Sequence, residues 1–180
     1  RRSSDLQTQT GTGTIRDDGQ GAIFKPDGTL DLNAVKDDDR SVTVSDTLVN
    51  EASPYAFFTI SATSGRALSL ETSDGTATSA DYSNSLQYSL DNGLTWLSYT
   101  SGTVTTPASG SFLVRVAIKQ DDLPEGQESF TLSATGGTQT QTGTGTIRDD
   151  GQGAIFKPDG TLDLNAVKDD DRPLAINNID

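Results

Sequence analysis

Residues 111–119 read SFLVRVAIK, and this stretch sets the fold class. Every second position from Phe112 to Ile118 is apolar, whereas Arg115 and Lys119 occupy the positions between or after them. Successive side chains of a β-strand point to opposite faces, so this alternation is typical of a half-buried strand. The pattern predicts that the even-numbered residues line a core and that Arg115 and Lys119 lie outside it.

Shorter runs of the same kind recur along the chain, separated by Gly, Asn, Asp and Ser. They lie at residues 41–49, 55–62, 66–72, 86–90, 95–99, 129–135 and 138–147. Asn92-Gly93 lies between two of them and is a strong signal for a tight turn. No stretch shows helical periodicity of useful length. The sequence therefore predicts an all-β chain, an immunoglobulin-like Greek-key β-sandwich of about seven strands.

One long segment of the chain occurs twice. Residues 7–40 and residues 139–172 both read QTQTGTGTIRDDGQGAIFKPDGTLDLNAVKDDDR, an offset of 132 residues (139 minus 7). This identity predicts a tandem array, and arrays of domains serve reach, avidity or display more often than catalysis. The chain then divides into the last strand of a preceding repeat (1–20), an inter-repeat strap (21–40), a complete sandwich (41–150), a second strap (151–172) and the start of another repeat (173–180).

The strap differs in character from the sandwich. Its sequence GAIFKPDGTLDLNAVKDDDR combines a Pro-Asp-Gly turn with several apolar residues, which makes it too apolar for a free tether and too short for a domain. We expect a short hairpin or ordered strap that packs where two sandwiches meet. The first copy, Ile23–Leu32, is expected to dock on the complete sandwich. Residues 1–14, in contrast, are expected to be disordered or to pair with a sheet edge of a neighbouring molecule.

The amino-acid composition excludes several classes of functional site. The 180 residues include no Cys, His or Met, which excludes disulfides, thiol nucleophiles, serine-type triads and imidazole-bound metals. Thirteen basic and 26 acidic residues give a net charge of −13, which opposes binding to nucleic acid or to an anionic membrane. We therefore expect no enzyme activity, no nucleic-acid partner and no membrane insertion.

The acidic residues are clustered in runs at strand ends and joints. Calcium binds about six to eight oxygen ligands, and loops at one end of a sandwich can bring distant carboxylates together. The sequence therefore predicts bound Ca²⁺. The candidate ligands are Glu51, Asp81, Asp121, Asp122, Glu125, Glu128, Asp149 and Asp150, with Asp17, Asp18, Asp37, Asp38 and Asp39 at the preceding joint.

The order of these motifs resembles the Calx-β repeat over residues 41–150. The motifs that carry the resemblance are Glu51, the DGTA sequence at 74–77, Asp81-Tyr82, the DDLPEGQESF sequence at 121–130, and residues 145–150. The resemblance implies a Greek-key sandwich with a calcium cluster at the joint with the next module, and it implies the same ligands from Glu51 to Asp150. Gln120 replaces an acid found in some members, and the terminal acidic run stops at Gly151, which implies fewer or weaker ions.

The inserted segment 88–111 and the near-identical copies resemble the repeat arrays of giant bacterial RTX adhesins. This implies an extracellular, type I secreted chain at the bacterial cell surface. Its repeats would stiffen in calcium and project a distal ligand-binding domain for adhesion or biofilm formation. The partners would be neighbouring repeats and calcium ions, while other domains bind the distal ligand. Two alternatives stay open: a carbohydrate- or ligand-binding module that uses Trp96 and Tyr99, and an accessory domain of a large secreted hydrolase.

Overall fold

The computed structural model describes residues 10–173, and over that range the chain contains only strands, turns and loops. The strands are β1 (Val42–Val44), β2 (Thr47–Asn50), β3 (Tyr55–Ala62), β4 (Ala67–Asp74), β5 (Tyr82–Ser89), β6 (Leu97–Tyr99), β7 (Val104–Thr105), β8 (Ser111–Ile118), β9 (Glu128–Gly136) and β10 (Gln139–Arg148). In this part of the chain no helix is long and apolar enough to cross a membrane. The all-β prediction is confirmed.

The strands form two five-stranded sheets that pack face to face. Their orders are β1-β3-β8-β5-β6 and β2-β10-β9-β4-β7, with β2 parallel to β10. The placement of β1-β3-β8-β5 against β10-β9-β4 is that of the immunoglobulin sandwich, so this prediction is also confirmed. The ten strands within residues 10–173 exceed the eight runs of the sequence by two, because β7 was not predicted and because the run 41–49 divides. Its first half, β1, pairs with β3 in one sheet, and its second half, β2, pairs with β10 in the other.

The two sheets enclose one apolar core. Phe58, Phe130, Val114 and Leu132 are fully buried. The ring of Phe130 stacks on Tyr82 at a centroid distance of 4.3 Å and meets Phe58 edge-on at 5.8 Å. Alternate residues of β3, β8 and β9 point into this core. The even-numbered residues of β8 are inward as predicted, and the same alternation predicts the inward residues of the other two strands, which are all buried: Ala56, Phe58 and Ile60 in β3, and Phe130, Leu132 and Ala134 in β9.

The second strap, residues 151–172, extends the sheet that contains β2. Ala154 forms a parallel bridge with Val49, and the amide of Asn50 donates to the Ala154 carbonyl at 2.9 Å. The Ala154 amide donates to the Leu48 carbonyl at 3.1 Å. Ile155, the next residue, is 7% exposed. The strap is therefore ordered and bound to the sandwich, as the sequence predicts.

The hairpin of the second strap covers the outer face of β3 and β8. Phe156 packs on Phe57 at a centroid distance of 5.2 Å, and Phe57 meets Trp96 at 5.5 Å. The Arg115 guanidinium lies 4.2 Å from the Trp96 ring centre and donates to the Pro158 carbonyl. Arg115 is on the outer face, as predicted, but it is only 8% exposed because the strap covers it.

The first strap, residues 21–40, folds into the same hairpin without burying its apolar side chains. Phe24 and Leu30 form the same bridge as Phe156 and Leu162 in the second copy, yet Phe24 is 62% exposed. The expectation that Ile23–Leu32 docks on the complete sandwich is therefore wrong. The second strap already covers the outer face of β3 and β8, so the first strap contacts the sandwich through its acidic run instead.

The prediction for residues 1–14 falls largely outside the described residues, which begin at residue 10. Residues 10–14 are exposed and belong to no strand. Ile15, which follows them, is 99% exposed.

Candidate metal centre

Acidic side chains converge at one end of the sandwich. The strand register aligns the ends of neighbouring strands here: Ile147 of β10 lies opposite Glu128 of β9, and Tyr82 of β5 lies opposite Ile118 of β8. The loops that follow β2, β8 and β10 therefore meet those that precede β5 and β9. We call this end the acidic pole. Its acids are Glu51, Asp81, Asp121, Asp122, Glu125, Glu128 and Asp149, with Asp169 and Asp171 from the second strap.

The first group of acids joins the sandwich to the strap. Glu51, Asp149 and Asp169 each place a carboxylate oxygen within 4.8 Å of the other two, and we call them the joint cluster. Glu51 and Asp149 are each 3% exposed. Backbone contacts hold the group: the Glu125 amide donates to Asp149 Oδ2 at 2.8 Å, and the Asp169 amide donates to Asn50 Oδ1 at 2.8 Å.

The second group belongs to the sandwich alone. Asp81, Glu125 and Glu128 also bring carboxylate oxygens within 4.8 Å of one another, and we call them the loop cluster. Asp81 is buried, and its Oδ2 accepts a hydrogen bond from the Thr78 amide at 2.6 Å. Glu125 also lies near Asp149 through its amide. The two clusters are therefore adjacent.

Several carboxylate oxygens at the acidic pole lack any partner. The buried oxygens without a hydrogen bond include Glu51 Oε2, Glu128 Oε2, Asp169 Oδ2 and Asp171 Oδ2. Within residues 10–173, none of these acids forms a salt bridge. A buried charge without compensation is costly. Calcium requires such a set of convergent oxygen donors, so the residues present fit this ion.

The same crowding shifts the acids toward their neutral forms. Burial, reinforced by Asp149, raises the pKa of Glu51 to about 7. Burial and the charge of Asp81 raise the pKa of Glu128 to about 7. The pKa values of Glu125 and Asp171 are also raised, in both cases mainly by burial. A bound cation favours the ionised form and would reverse these directions.

Adjacent acids at the joint face opposite ways. Asp150 and Asp170 form an isolated antiparallel bridge, and side chains alternate along an extended chain. Asp149 and Asp169 therefore turn into the joint cluster. Asp150 and Asp170 turn away, and each forms an ion pair with an arginine two residues from it.

Asp121 and Asp122 lie at the solvent-exposed edge of the acidic pole. Asp121 Oδ1 accepts a hydrogen bond from the Leu123 amide at 2.7 Å. The charge of Asp121 contributes to the raised pKa of Glu51, and both aspartates contribute to that of Asp171. They therefore add negative charge to the site without belonging to either cluster.

The five candidate ligands of the first strap divide in the same way. Asp39, more than Asp37, raises the pKa of Asp17 by charge repulsion, so these three share a face. Asp18 and Asp38 form ion pairs with arginines. Among the described residues, no group with the spacing of the joint cluster forms around Asp17.

Two acids of the site were missing from the predicted ligand set. Asp169 belongs to the joint cluster, and the Asp171 amide donates to Asp149 Oδ1 at 3.3 Å. The repeat could have identified Asp169 and Asp171, because they are the copies of the predicted ligands Asp37 and Asp39 at the 132-residue offset. Only the second copy follows the complete sandwich and can reach its acidic pole.

The aromatic residues considered for sugar binding take part in packing and hydrogen bonding. Trp96 packs on Phe57, and its Nε1 donates to the Gly93 carbonyl at 3.1 Å. The Tyr99 hydroxyl accepts from the Leu70 amide at 3.0 Å and donates to the Gly102 carbonyl.

Comparison with known proteins yields matches among solved structures. No family model matches the sequence, and no curated protein matches it. The apo-form Calx CBD1 domain matches with a TM-score of 0.43 and 16% identity, over 61% of this chain and 97% of that chain. The calcium binding domain CBD12 of CALX1.1 matches with a TM-score of 0.45 and 16% identity, over 61% and 44%. The periplasmic chaperone SfaE matches with a TM-score of 0.34 and 11% identity, over 60% and 56%. These values describe a likeness in shape alone.

Proposed function

We propose that this chain is a calcium-rigidified extender repeat of a large secreted or cell-surface bacterial adhesin, which projects distal binding domains for adhesion or biofilm formation. The observation that carries the proposal is the joint cluster, in which Asp169 of the strap meets Glu51 and Asp149 of the sandwich. A cation held there would bind the sandwich to the segment that follows it. The Calx-β-like order of motifs and the tandem repeat support the same function.

Charge neutralisation is the proposed physical basis. The joint and loop clusters would hold calcium, which supplies the positive charge that their buried oxygens lack. Without the ion, like charges a few ångströms apart repel one another. Asn50 positions the strap for this role, because its side chain donates to the carbonyls of both Arg148 and Asp169.

The repeat suits a mechanical role. A spacer needs length more than diversity, and near-identical copies supply length without new binding surfaces. The partners in this proposal are neighbouring repeats and calcium, and the distal ligand is bound by other domains. Extracellular calcium modules bind at Kd values of about 10⁻⁴ to 10⁻³ M, and we expect an affinity in this range for the chain.

A calcium titration followed by calorimetry, melting and small-angle X-ray scattering tests this function. We expect binding, a higher Tm in calcium than in EDTA, and a narrower distribution of shapes in calcium. One site at a hundredfold excess over Kd adds about 2.7 kcal/mol to the free energy of unfolding. Magnesium is the control and should substitute poorly, because it retains its water ligands. An unchanged Tm would contradict calcium binding, and a raised Tm with unchanged scattering would contradict the extender role.

A further inference from the structure

The end of the sandwich opposite the acidic pole contains a buried arginine. Arg66 precedes β4 and is 0% exposed, and the nine-residue strand β9 separates it from Glu128. Its Nη2 donates to the Gly136 carbonyl at 2.8 Å, whereas Nε and Nη1 have no hydrogen-bond partner. A buried guanidinium needs a negative partner to offset its lost hydration. We call this end the arginine pole.

The first strap supplies that partner. Arg66 Nη2 donates to the Asp38 carbonyl at 2.6 Å, and Asp38 Oδ2 lies 3.6 Å from Arg66 Nε. Gln139 Nε2 donates to the Asp39 carbonyl at 2.8 Å, and Thr138 Oγ1 reaches Asp37 at 3.5 Å. These contacts hold the acidic run of the strap across the turn between β9 and β10.

Gly137 permits this close approach. Its φ is +59°, and a Cβ at this position would lie 3.0–3.1 Å from backbone and side-chain atoms of Asp38. A larger residue would therefore be strained and would push the strap away.

The second strap has the same sequence and the same local structure, but within residues 10–173 it makes no equivalent contact with a buried arginine. The Gly19 amide donates to the Asp37 carbonyl at 2.8 Å, and the equivalent bond from Gly151 to Asp169 has the same length. The Asp38 side chain is 9% exposed, whereas that of Asp170 is 41% exposed. Asp38 is less exposed because Arg66 and Gly137 of the sandwich that follows the first strap lie against it.

We infer that one strap binds two sandwiches at once, with alternate acids of its triple-Asp run assigned to opposite partners. The outer two acids, Asp169 and Asp171, belong to the acidic pole of the preceding sandwich. The middle acid binds the arginine pole of the following sandwich, as Asp38 does here. The partner for Asp170 is therefore a following β-sandwich with a buried arginine at the position of Arg66, and it is a variant of this unit, because residues 173–180 differ from residues 41–48. This inference adds detail to the proposed extender function and rests on it. The arginine contact itself includes no calcium ligand.

Matched substitutions in the two straps test the inference on the chain as it stands. We expect Asp38→Asn to accelerate amide hydrogen exchange in residues 19–40 by about tenfold or more, because a buried charged partner is lost. Asp170→Asn is the control, since it has the same sequence neighbours and also pairs with an arginine two residues away. It should leave exchange in its own strap, residues 151–172, unchanged. Equal effects of the two substitutions, each measured in its own strap, or no effect of Asp38→Asn, would overturn the inference.

A second measurement assigns the effect to Arg66. Arg66→Lys keeps the charge but removes the planar fork that reaches both Asp38 and Gly136. The effects of Arg66→Lys and Asp38→Asn on strap exchange should be strongly non-additive in the double variant. Additive effects would mean that the two residues do not act together and would overturn the inference.

Calcium calorimetry separates this inference from the proposed function. The calcium isotherm of Asp38→Asn should match that of the unsubstituted chain, because Asp38 faces the arginine. An altered isotherm would overturn the assignment of the middle acid. Absence of calcium binding in the unsubstituted chain would contradict the proposed function, while the exchange contrast measured in EDTA would still support the arginine contact.

Discussion

Asp149 and Asp150 are neighbours in sequence and have opposite environments. Asp149 is 3% exposed among other carboxylates, and Asp150 forms an ion pair with Arg148. The extended backbone turns their side chains to opposite faces. The position of an acid within the run therefore decides whether its carboxylate lies among other carboxylates or pairs with an arginine. The composition of the acidic clusters therefore depends on the alternating direction of the side chains more than on the number of acids in the run.

Asp149→Asn should therefore affect calcium binding more than it affects the metal-free fold. In EDTA the Tm should change little, because the substitution removes one repelling charge but also removes one of the two oxygens that accept from the Glu125 and Asp171 amides. It should lower calcium affinity about tenfold or more, because a carboxylate ligand is lost. Asp17→Asn is the matched control at the repeat-related position, where no joint cluster forms among the described residues. Melting and calorimetry of both variants check this, and equal calcium affinities would contradict the site.

The raised pKa values of Glu51 and Glu128 predict how stability depends on pH without metal. Each pKa rises from 4.5 to about 7 on folding, so between these values the folded state binds more protons than the unfolded state. The free energy of unfolding in EDTA should therefore fall as pH rises through this window. Calcium affinity should change in the opposite direction and weaken as pH falls below about 7, because protons compete for the same carboxylates.

Denaturant unfolding at several pH values measures the first effect. Glu51→Gln should flatten the pH dependence, because it removes one of the two titrating groups. A free energy of unfolding that rises between pH 4.5 and 7 in EDTA would contradict the assignment of these carboxyls.

At the scale of elements, the chain contains the same hairpin in two environments. In the second copy Phe156 packs on Phe57, and in the first copy Phe24 is 62% exposed. The hairpin folds in both copies, since its Pro-Asp-Gly turn closes with the same bonds in each. Local sequence therefore shapes the strap, and the neighbouring sheet determines what it buries.

Phe156→Ala should release the second strap from the sandwich. We expect a loss of about 1–3 kcal/mol in the free energy of unfolding, because the ring is partly buried. The single tryptophan, Trp96, packs on Phe57 beneath this strap, so its fluorescence should shift toward that of an exposed indole. Phe24→Ala, at the repeat-related position, should change neither quantity measurably. Matching effects of the two substitutions would contradict the docking described here.

A second repeat-related pair tests the role of β10. Ile147 in β10 is 4% exposed, whereas Ile15 is 99% exposed. Ile147→Ala should reduce the free energy of unfolding by roughly 2–5 kcal/mol, because it leaves a cavity in the core. Ile15→Ala should change it by about 0.5 kcal/mol or less. Chemical denaturation of the two variants measures the contrast, and similar values would place residues 7–16 in a packed sheet.

The whole molecule has a net charge of −13 and gathers much of it at one end. This excess should destabilise the metal-free fold through repulsion, which salt screens over a Debye length of about 8 Å at physiological ionic strength. In EDTA, the Tm should rise with NaCl concentration. Calcium should raise it at far lower concentrations, because it binds specific carboxylates. A response to calcium no larger than that to equal ionic strength of NaCl would contradict specific sites.

The amino-acid sequence alone was enough to predict the fold class and to suggest the chemistry of the site. Period-two alternation identified β3, β8 and β9 with their buried faces, because a strand assigns each residue to a face by position. The count of acids and the absence of Cys and His indicated an oxygen-ligated cation. The fold inference succeeded because it depends on local pattern, which the sequence contains in full, whereas the cation inference depends on residue type and stays a prediction that the two acidic clusters support.

The packing of the sheets gives different environments to the two copies of each repeated residue. Residues 7–40 and 139–172 have one sequence, so no local rule can distinguish Phe24 from Phe156 or Asp38 from Asp170. Their burial differs because a β-sandwich precedes the second copy and follows the first. It presents the outer face of β3 and β8 and the acidic pole to one copy, and the buried Arg66 to the other. Which surface meets a given strap depends on the register and convergence of strands far apart in sequence, and only the assembled sheets provide that information.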